Sequence, residues 1–359
     1  MHVGLVIYGS LDTLSGGYLY DRRLVEHLEQ QGDRVTVIAR PWRDYPRHLM
    51  DNASTEWRRR LAGDYDVLLQ DELMHPSLAW TNNRLPPNRP PLVAIVHHLR
   101  ASEARPAWQN RFYRWVERRY LRSVDAFLYN SQTTRRAVEG QVGAARPGIV
   151  AYPGGDRLRP AVSAGDVARR AEEAPLRLLF VGNVIPRKGL HVLLAALPWL
   201  RGEWRLSVVG RLNVDAQYAT KMRHRAGQEG LGERIAWRGD LSDADLAAEM
   251  AAAHLLVVPS SYEGFGIVYL EGMGFGLPAL GTTAGAAGEI ISDGENGYLI
   301  APDDAAGLAT RLQALAADRG MLARMGVAAL ERYHRSPTWA ETTASIRAFL
   351  LDVMRSRKG

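Results

Sequence analysis

Pro259-Ser-Ser-Tyr-Glu-Gly-Phe-Gly-Ile-Val-Tyr-Leu-Glu-Gly-Met-Gly274 follows directly on the apolar run Leu255-Leu-Val-Val258. The run reads as a buried strand, the segment from Pro259 to Gly266 as a loop, and Ile267 onward, with Leu270, Met273 and Phe275, as a helix. Glu263 therefore stands at the carboxyl end of a strand, where open α/β sheets bind ligands. Gly264 and Gly266 let backbone approach a ligand closely, and the adjoining helix N-terminus offers N–H groups to an anion. A carboxylate is a pure acceptor and suits the hydroxyls of a sugar or ribose. Glu263 and Glu271 also invite comparison with an acid/base pair. Eight residues of helix span about 12 Å, beyond the roughly 5 to 9.5 Å between the carboxyls of glycoside hydrolases. Two contacts on one elongated ligand fit the spacing better. On an arbitrary loop of this kind solvated glutamates would be expected, and it is the surrounding residues that argue for more.

Short apolar runs alternate with helical patterns along the whole chain, the sequence form of parallel sheets covered by helices. Strands are expected near Val3–Tyr8, Arg34–Ala39, Asp66–Leu69, Leu92–Val96, Ala126–Tyr129 and Ile149–Tyr152. A second series is expected near Leu176–Val181, Arg205–Val209, Arg234–Trp237, Leu255–Val258, Pro278–Gly281 and Tyr298–Ile300. Between the two series, Arg157 to Pro175 lacks strand character and reads as a linker. Two α/β domains are thus expected, residues 1–165 and 166–337. A closing helix within 338–359 has apolar residues at helical spacing, and its return onto the first domain is one of two placements.

With 359 residues, 46% of them apolar and 23% charged, the chain has the length and composition of a two-domain globular protein. It has no cysteine, which excludes disulfides, thiolate metal sites and cysteine nucleophiles. The net charge of +6 sits entirely in residues 1–165, which hold 23 basic and 17 acidic side chains. The start, Met1-His-Val-Gly-Leu-Val-Ile-Tyr8, reads as a strand and not as a signal peptide, and no window approaches the roughly 20 apolar residues of a spanning helix. A cytoplasmic protein is expected.

Four other segments carry chemistry. Phe180-Val-Gly-Asn-Val-Ile-Pro-Arg-Lys-Gly-Leu190 is again strand, turn and helix; Arg187 and Lys188 at a helix start make sense where a diphosphate arrives, although an exposed basic turn is common. Gly9-Ser-Leu-Asp-Thr-Leu-Ser-Gly-Gly17 follows the first strand, with Gly16 and Gly17 opening a helix. It lacks G-x-G-x-x-G and the next strand ends at Arg40 instead of an acid, so a nicotinamide site is rejected. Leu92-Val-Ala-Ile-Val-His-His98 is a buried strand ending in two histidines, a feature more often structural than catalytic. Residues 105–122 form a basic aromatic helix. Its aromatics are expected to pack on the sheet with the arginines solvated; docking on anionic lipid headgroups or a charged acceptor is the alternative. No nucleic-acid-binding motif accompanies the charge.

The stretch from Pro259 to Gly274 resembles the signature of glycosyltransferase family 4, retaining enzymes of the GT-B fold. The resemblance is dense over residues 176–305 and thin before them. It implies an α/β protein of two facing Rossmann-like, doubly wound domains with an interdomain cleft. It also implies transfer of a hexose from a UDP- or GDP-sugar to a hydroxyl acceptor with retention of configuration. In the family pattern Glu263 contacts the donor sugar and Glu271 the nucleotide ribose, while backbone at Phe265, Gly266 and Ile267 faces phosphates and sugar. Lys188 carries over as a diphosphate ligand; Asn183 stands where the family has arginine, and Arg187 is a candidate to replace that charge. Gly16 and Gly17 match the N-terminal glycine loop, His97 the histidine that approaches the donor sugar, and Trp237-Arg238-Gly239 the region of the base pocket. Tyr129-Asn-Ser131, Tyr152-Pro-Gly-Gly-Asp156 and Gly288 to Tyr298 add smaller likenesses. No Asp-x-Asp motif argues for a metal, and no cofactor or metal is expected. The other readings are a sugar-nucleotide sensor without turnover and an epimerase or phosphorylase of the same fold. A pyridoxal phosphorylase is disfavoured, since the only lysines are Lys188, Lys221 and Lys358.

Overall fold

Each apolar run expected to be a strand is one. The computed structural model describes every residue except Leu14, Ala104, Ala145, Lys358 and Gly359, so one position of the glycine loop and the end of the closing helix lie outside the description. Among the described residues the strands are β1 (His2–Tyr8), β2 (Arg34–Arg40), β3 (Val67–Asp71), β4 (Leu92–Val96), β5 (Ala126–Tyr129) and β6 (Gly148–Val150), then β7 (Leu176–Val181), β8 (Trp204–Val209), β9 (Ile235–Gly239), β10 (Leu255–Val257), β11 (Ala279–Thr282) and β12 (Gly297–Ile300). They form two all-parallel six-stranded sheets. β3, β4 and β5 are buried along their whole length, as strands covered by helices on both faces must be.

The chain divides into two compact units, residues 1–153 with 339–359, and residues 154–338. The first unit has strand order β2-β1-β3-β4-β5-β6, and β1 pairs with both β2 and β3, Val3 lying opposite Val35 and Val67. Its strand order reverses between β1 and β3, so the segments leaving those two strands meet at the reversal point. Helix Gly16–Gln30 leaves β1, with Ser15 Oγ accepting from the Tyr18 N–H at 3.3 Å. Helix Trp339–Ser356 packs against helix 16–30, burying Ile346, Leu350 and Val353. Arg347 Nε donates to Asp33 Oδ2 at 2.7 Å, and Thr342 Oγ1 to the Tyr152 carbonyl at 2.6 Å.

The second unit has the order β12-β11-β10-β7-β8-β9, the doubly wound arrangement in which the order reverses between its first and fourth strands, β7 and β10. The loops leaving those strands carry Lys188 and Glu263. The expected boundary at 165/166 needs correction. Asp156–Leu158 packs on helices Asp243–Ala252 and Ile267–Gly274, and helix Ala164–Glu172 packs on helix Arg319–His334, all within the second unit. What read as linker contains an amphipathic helix that starts at a capping box, Ser163 with Asp166, and buries Val167, Arg170 and Ala171.

Candidate active site

Glu263 lies in the loop between β10 and helix Ile267–Gly274, and its side chain turns inward, leaving the residue only 7% exposed. Two donors meet on one oxygen: Lys188 Nζ at 2.6 Å and Ser260 Oγ at 2.6 Å, both to Glu263 Oε1. Arg187 Nη1 stands 3.8 Å from Oε2 and donates to the Tyr262 carbonyl at 2.9 Å. Burial alone would push the Glu263 carboxyl up; Lys188 and Arg187 reverse that and hold it down at about 2. Burial pulls the Lys188 ammonium down, against the attraction of Glu263. The loops are fixed to each other by backbone as well. Ser261 N–H donates to the Arg187 carbonyl at 2.8 Å, and Gly189, at φ +74°, lies so close that a Cβ there would sit 2.0 Å from the Pro259 carbonyl oxygen. Only glycine fits that turn. The result is a buried ion pair beyond the carboxyl ends of β7 and β10, on two loops tied to each other by these bonds.

Glu271 is 4% exposed on helix 267–274 and is gripped by Arg157, Nε to Oε1 at 2.7 Å and Nη2 to Oε2 at 3.2 Å. Arg157 also bonds Asp243. Gly266 caps helix 267–274 in the left-handed conformation, Phe265 is buried beside it and Ile267 is the first helical residue. Asn183 is half-buried in the turn after β7, its carbonyl accepting from the Ile185 N–H. Arg238 pairs instead with Glu249, its Nε 2.8 Å from Oε1. It lines a cavity of about 450 Å³ whose other walls include Arg177, Arg205 and Arg234, at the starts of β7 and β8 and just before β9.

In the first unit His97 follows β4. Its N–H donates to Glu72 Oε2 at 2.9 Å, and its carbonyl accepts from Asn130 Nδ2 at 2.8 Å. The imidazole is packed edge-on to Tyr20, 5.2 Å between ring centroids, and lies against Gly17, where a Cβ would come within 3.1 Å of the ring. Gly17 is therefore needed for the histidine to reach the start of helix 16–30; Gly16, next to it, is exposed. Nε2 points at Asp21 Oδ1, 3.5 Å away, and Asp71 Oδ2, 3.9 Å away. Burial raises Asp21 to about 7 and, with Asp21 beside it, Asp71 to about 8; it lowers His97. Glu72 is raised too, by burial and then by Asp71.

Residues 15–155 match the glycosyl transferase 4-like domain and residues 167–332 the glycosyl transferases group 1 family. The chain belongs to glycosyltransferase family 4. It is 29% identical to the phosphatidyl-myo-inositol mannosyltransferase of Mycobacterium leprae over 93% of each chain. Among solved structures of GT-B glycosyltransferases it resembles sucrose-phosphate synthase from Thermosynechococcus elongatus, with a TM-score of 0.84 at 21% identity over 99% of each chain. It also resembles Anabaena HepE in complex with UDP-glucose, with a TM-score of 0.75 at 20% identity over 97% of this chain and 99% of that one.

Sequence reasoning about this glycosyltransferase missed four side chains at its sites. Arg157 was assigned to a linker, although it directly follows the Tyr152–Asp156 likeness. Asp21 lies four residues after Gly17, one helical turn into the helix that the glycines open. Asp71 and Glu72 stand at the carboxyl end of β3, the place where the same reasoning picked out Glu263 and His97. On helix Ala107–Leu121 the buried residues are Val116, Glu117, Tyr120 and Leu121. Trp108, Phe112 and Trp115 are 70%, 42% and 56% exposed, so the expectation that the aromatics pack on the sheet is overturned for these three.

Proposed function

We propose that this glycosyltransferase moves a hexose from a UDP- or GDP-sugar to a hydroxyl acceptor with retention of anomeric configuration. The observation that carries the reading is the buried Lys188–Glu263 pair at the point where strand order reverses in the second sheet. A buried ammonium beside a carboxylate and a guanidinium is a charged cradle that a diphosphate can enter, exchanging with Glu263 for the hydrogen bonds of Lys188. As the bond from the anomeric carbon to the donor phosphate breaks, Lys188, Arg187 and N–H groups around Gly266 would stabilise the departing diphosphate. The acceptor oxygen attacks on the same face and its proton passes to the leaving phosphate oxygen, so no separate base and no metal at the diphosphate are invoked. We assign Glu263 and His97 to the donor sugar and Glu271 to the ribose, with Arg157 as the residue that holds Glu271 in place. Proton NMR of the product tests the stereochemistry: an α-configured donor should give an α-linked product, and a β-linked product would refute retention.

Trp108, Phe112 and Trp115, with Arg111, Arg114, Arg118 and Arg119 exposed around them, support a second element of the proposal. Among the described residues no helix is long and apolar enough to cross a membrane. An aromatic stripe ringed by arginines suits the headgroup layer of an anionic membrane, and a relative is named for a phosphatidylinositol acceptor. We place the enzyme in the cytoplasm, peripheral at the inner membrane face. Sedimentation with vesicles of phosphatidylglycerol and phosphatidylcholine should recover the protein in the anionic pellet at low salt. Equal recovery with neutral vesicles would count against a charge-guided contact.

A further inference from the structure

We propose that Asp21, Asp71 and His97 form a binding site for a divalent transition-metal ion, built from residues other than the Lys188–Glu263 pair and including the His97 assigned above to the donor sugar. The three residues come from the helix after β1, the end of β3 and the end of β4, and are 0%, 1% and 8% exposed. One ligand-type atom from each lies within 4.8 Å of the others. Both oxygens of Asp21, Oδ2 of Asp71 and Nε2 of His97 are buried with no hydrogen-bond partner. Buried charged groups are ordinarily paired or ligate a metal, so four such atoms aimed at one point call for a missing partner.

The neighbours cannot supply it. The Tyr18 hydroxyl is spent on the Tyr8 carbonyl and the Tyr20 hydroxyl on the Ala151 carbonyl. Among the described residues neither aspartate has an ion pair with lysine or arginine; His97 is the only cationic group paired with either. Glu72, the remaining acid beside them, takes the His97 N–H and brings no cation. Asp21 and Asp71 stand within hydrogen-bonding reach of each other, but His97 Nε2 is 3.5 and 3.9 Å from their oxygens, too far for a hydrogen bond. A proton shared by the aspartates would satisfy one contact and leave Nε2 and an Asp21 oxygen bare. A dication answers all of them and balances two carboxylates and a neutral imidazole. Ligand atoms on a zinc ion with bonds of about 2.0–2.2 Å are about 3.4 Å apart, within a small side-chain adjustment of what is seen. One imidazole and two carboxylates suit Zn²⁺ or Mn²⁺ better than Ca²⁺ or Mg²⁺. The ion would fix the His97 ring with its proton on Nδ1. It revises the expectation of no metal for this unit only.

The test uses the full chain, stripped with chelator, dialysed against Zn²⁺ or Mn²⁺ and analysed for bound metal, with melting temperature followed in parallel. The expected result is one equivalent per chain for at least one of the two ions and a rise in melting temperature, both retained by the surface control His224→Ala. Asp21→Asn and Asp71→Asn should weaken uptake at least about tenfold and lose the metal-dependent rise. Should the variants not fold, the visible spectrum of the Co²⁺-loaded wild type decides, since a protein nitrogen and oxygen ligand set of low coordination number shifts and intensifies the weak d–d bands of free Co²⁺. No stoichiometric uptake by the wild type, unchanged uptake in folded Asp21→Asn, or a Co²⁺ spectrum like that of the free ion would each overturn the site.

Discussion

Glu263 and Asp21 are both buried acids, and their surroundings push them in opposite directions. Glu263 is held at about 2, below its unfolded value, so the stability it contributes is complete above about pH 4.5 and is lost as pH falls toward 2. The melting temperature of the wild type should therefore exceed that of Glu263→Gln at pH 6 and the difference should shrink on acidification; a difference that grew toward pH 3 would contradict the pairing. Asp21 is raised to about 7, so the folded state holds a proton that the unfolded state has released. In the presence of chelator the wild type should lose melting temperature relative to Asp21→Asn as pH rises from about 4 to 7, and a flat difference would contradict the burial argument. Removing one partner of the Lys188–Glu263 pair strands a buried charge, at a cost of about 3 kcal/mol in a denaturant titration of Lys188→Ala. Glu263 and Lys188 were legible because the residues that position them are their neighbours in sequence. Arg157 was not, since the carboxylate that explains it is 114 positions away. Asp21 and Asp71 were not, since only the parallel pairing of β1 with β3 brings their segments together.

Elements were read well where a single period controlled them and poorly where two faces competed. Among the described residues all twelve strands stand where apolar runs between turn residues placed them, and the central ones, β3, β4 and β5, are covered on both faces and have no alternation to misread. Helix Ala107–Leu121 has two stripes that composition alone does not rank. Val116, Glu117, Tyr120 and Leu121 face inward, while Trp108, Phe112 and Trp115, spaced i, i+4, i+7, face water. Trp108 is the most exposed of the three, while Trp115 also rests on Trp80, 5.5 Å between ring centroids. The double substitution Trp108→Ala with Trp115→Ala should change unfolding free energy by no more than about 2 kcal/mol while abolishing sedimentation with anionic vesicles. A large stability loss would show that the stripe packs on the protein, and unchanged sedimentation would remove the membrane reading.

At the scale of the whole chain, two sheets of different strand order place their ligand-facing loops by the same rule. Both the Lys188–Glu263 pair and the Asp21–Asp71–His97 cluster lie where strand order reverses, although the orders are β12-β11-β10-β7-β8-β9 in one and β2-β1-β3-β4-β5-β6 in the other. The count of two α/β units followed from the two series of strands. The boundary did not, because helix Ala164–Glu172 is short and polar enough to pass for linker. The return of helix Trp339–Ser356 to the first unit rests on Ile346, Leu350 and Val353 and on the Arg347–Asp33 bond, which no local pattern could reveal. Truncation after Thr338 should lower the first unit's melting transition by well over 10 °C, since burying each such aliphatic side chain is worth about 1.5–3 kcal/mol. An unshifted transition in calorimetry would show that the helix is dispensable. Nucleotide release from a panel of UDP-, GDP- and ADP-sugars in the presence of acceptor extract, for wild type, Lys188→Ala and Glu263→Ala, shows whether the loops after β7 and β10 form the donor site of a working transferase. Release from at least one donor by the wild type is expected, with a fall of about 10²–10³-fold in both folded variants; tight donor binding without release, or wild-type rates in the variants, would rule that donor site out.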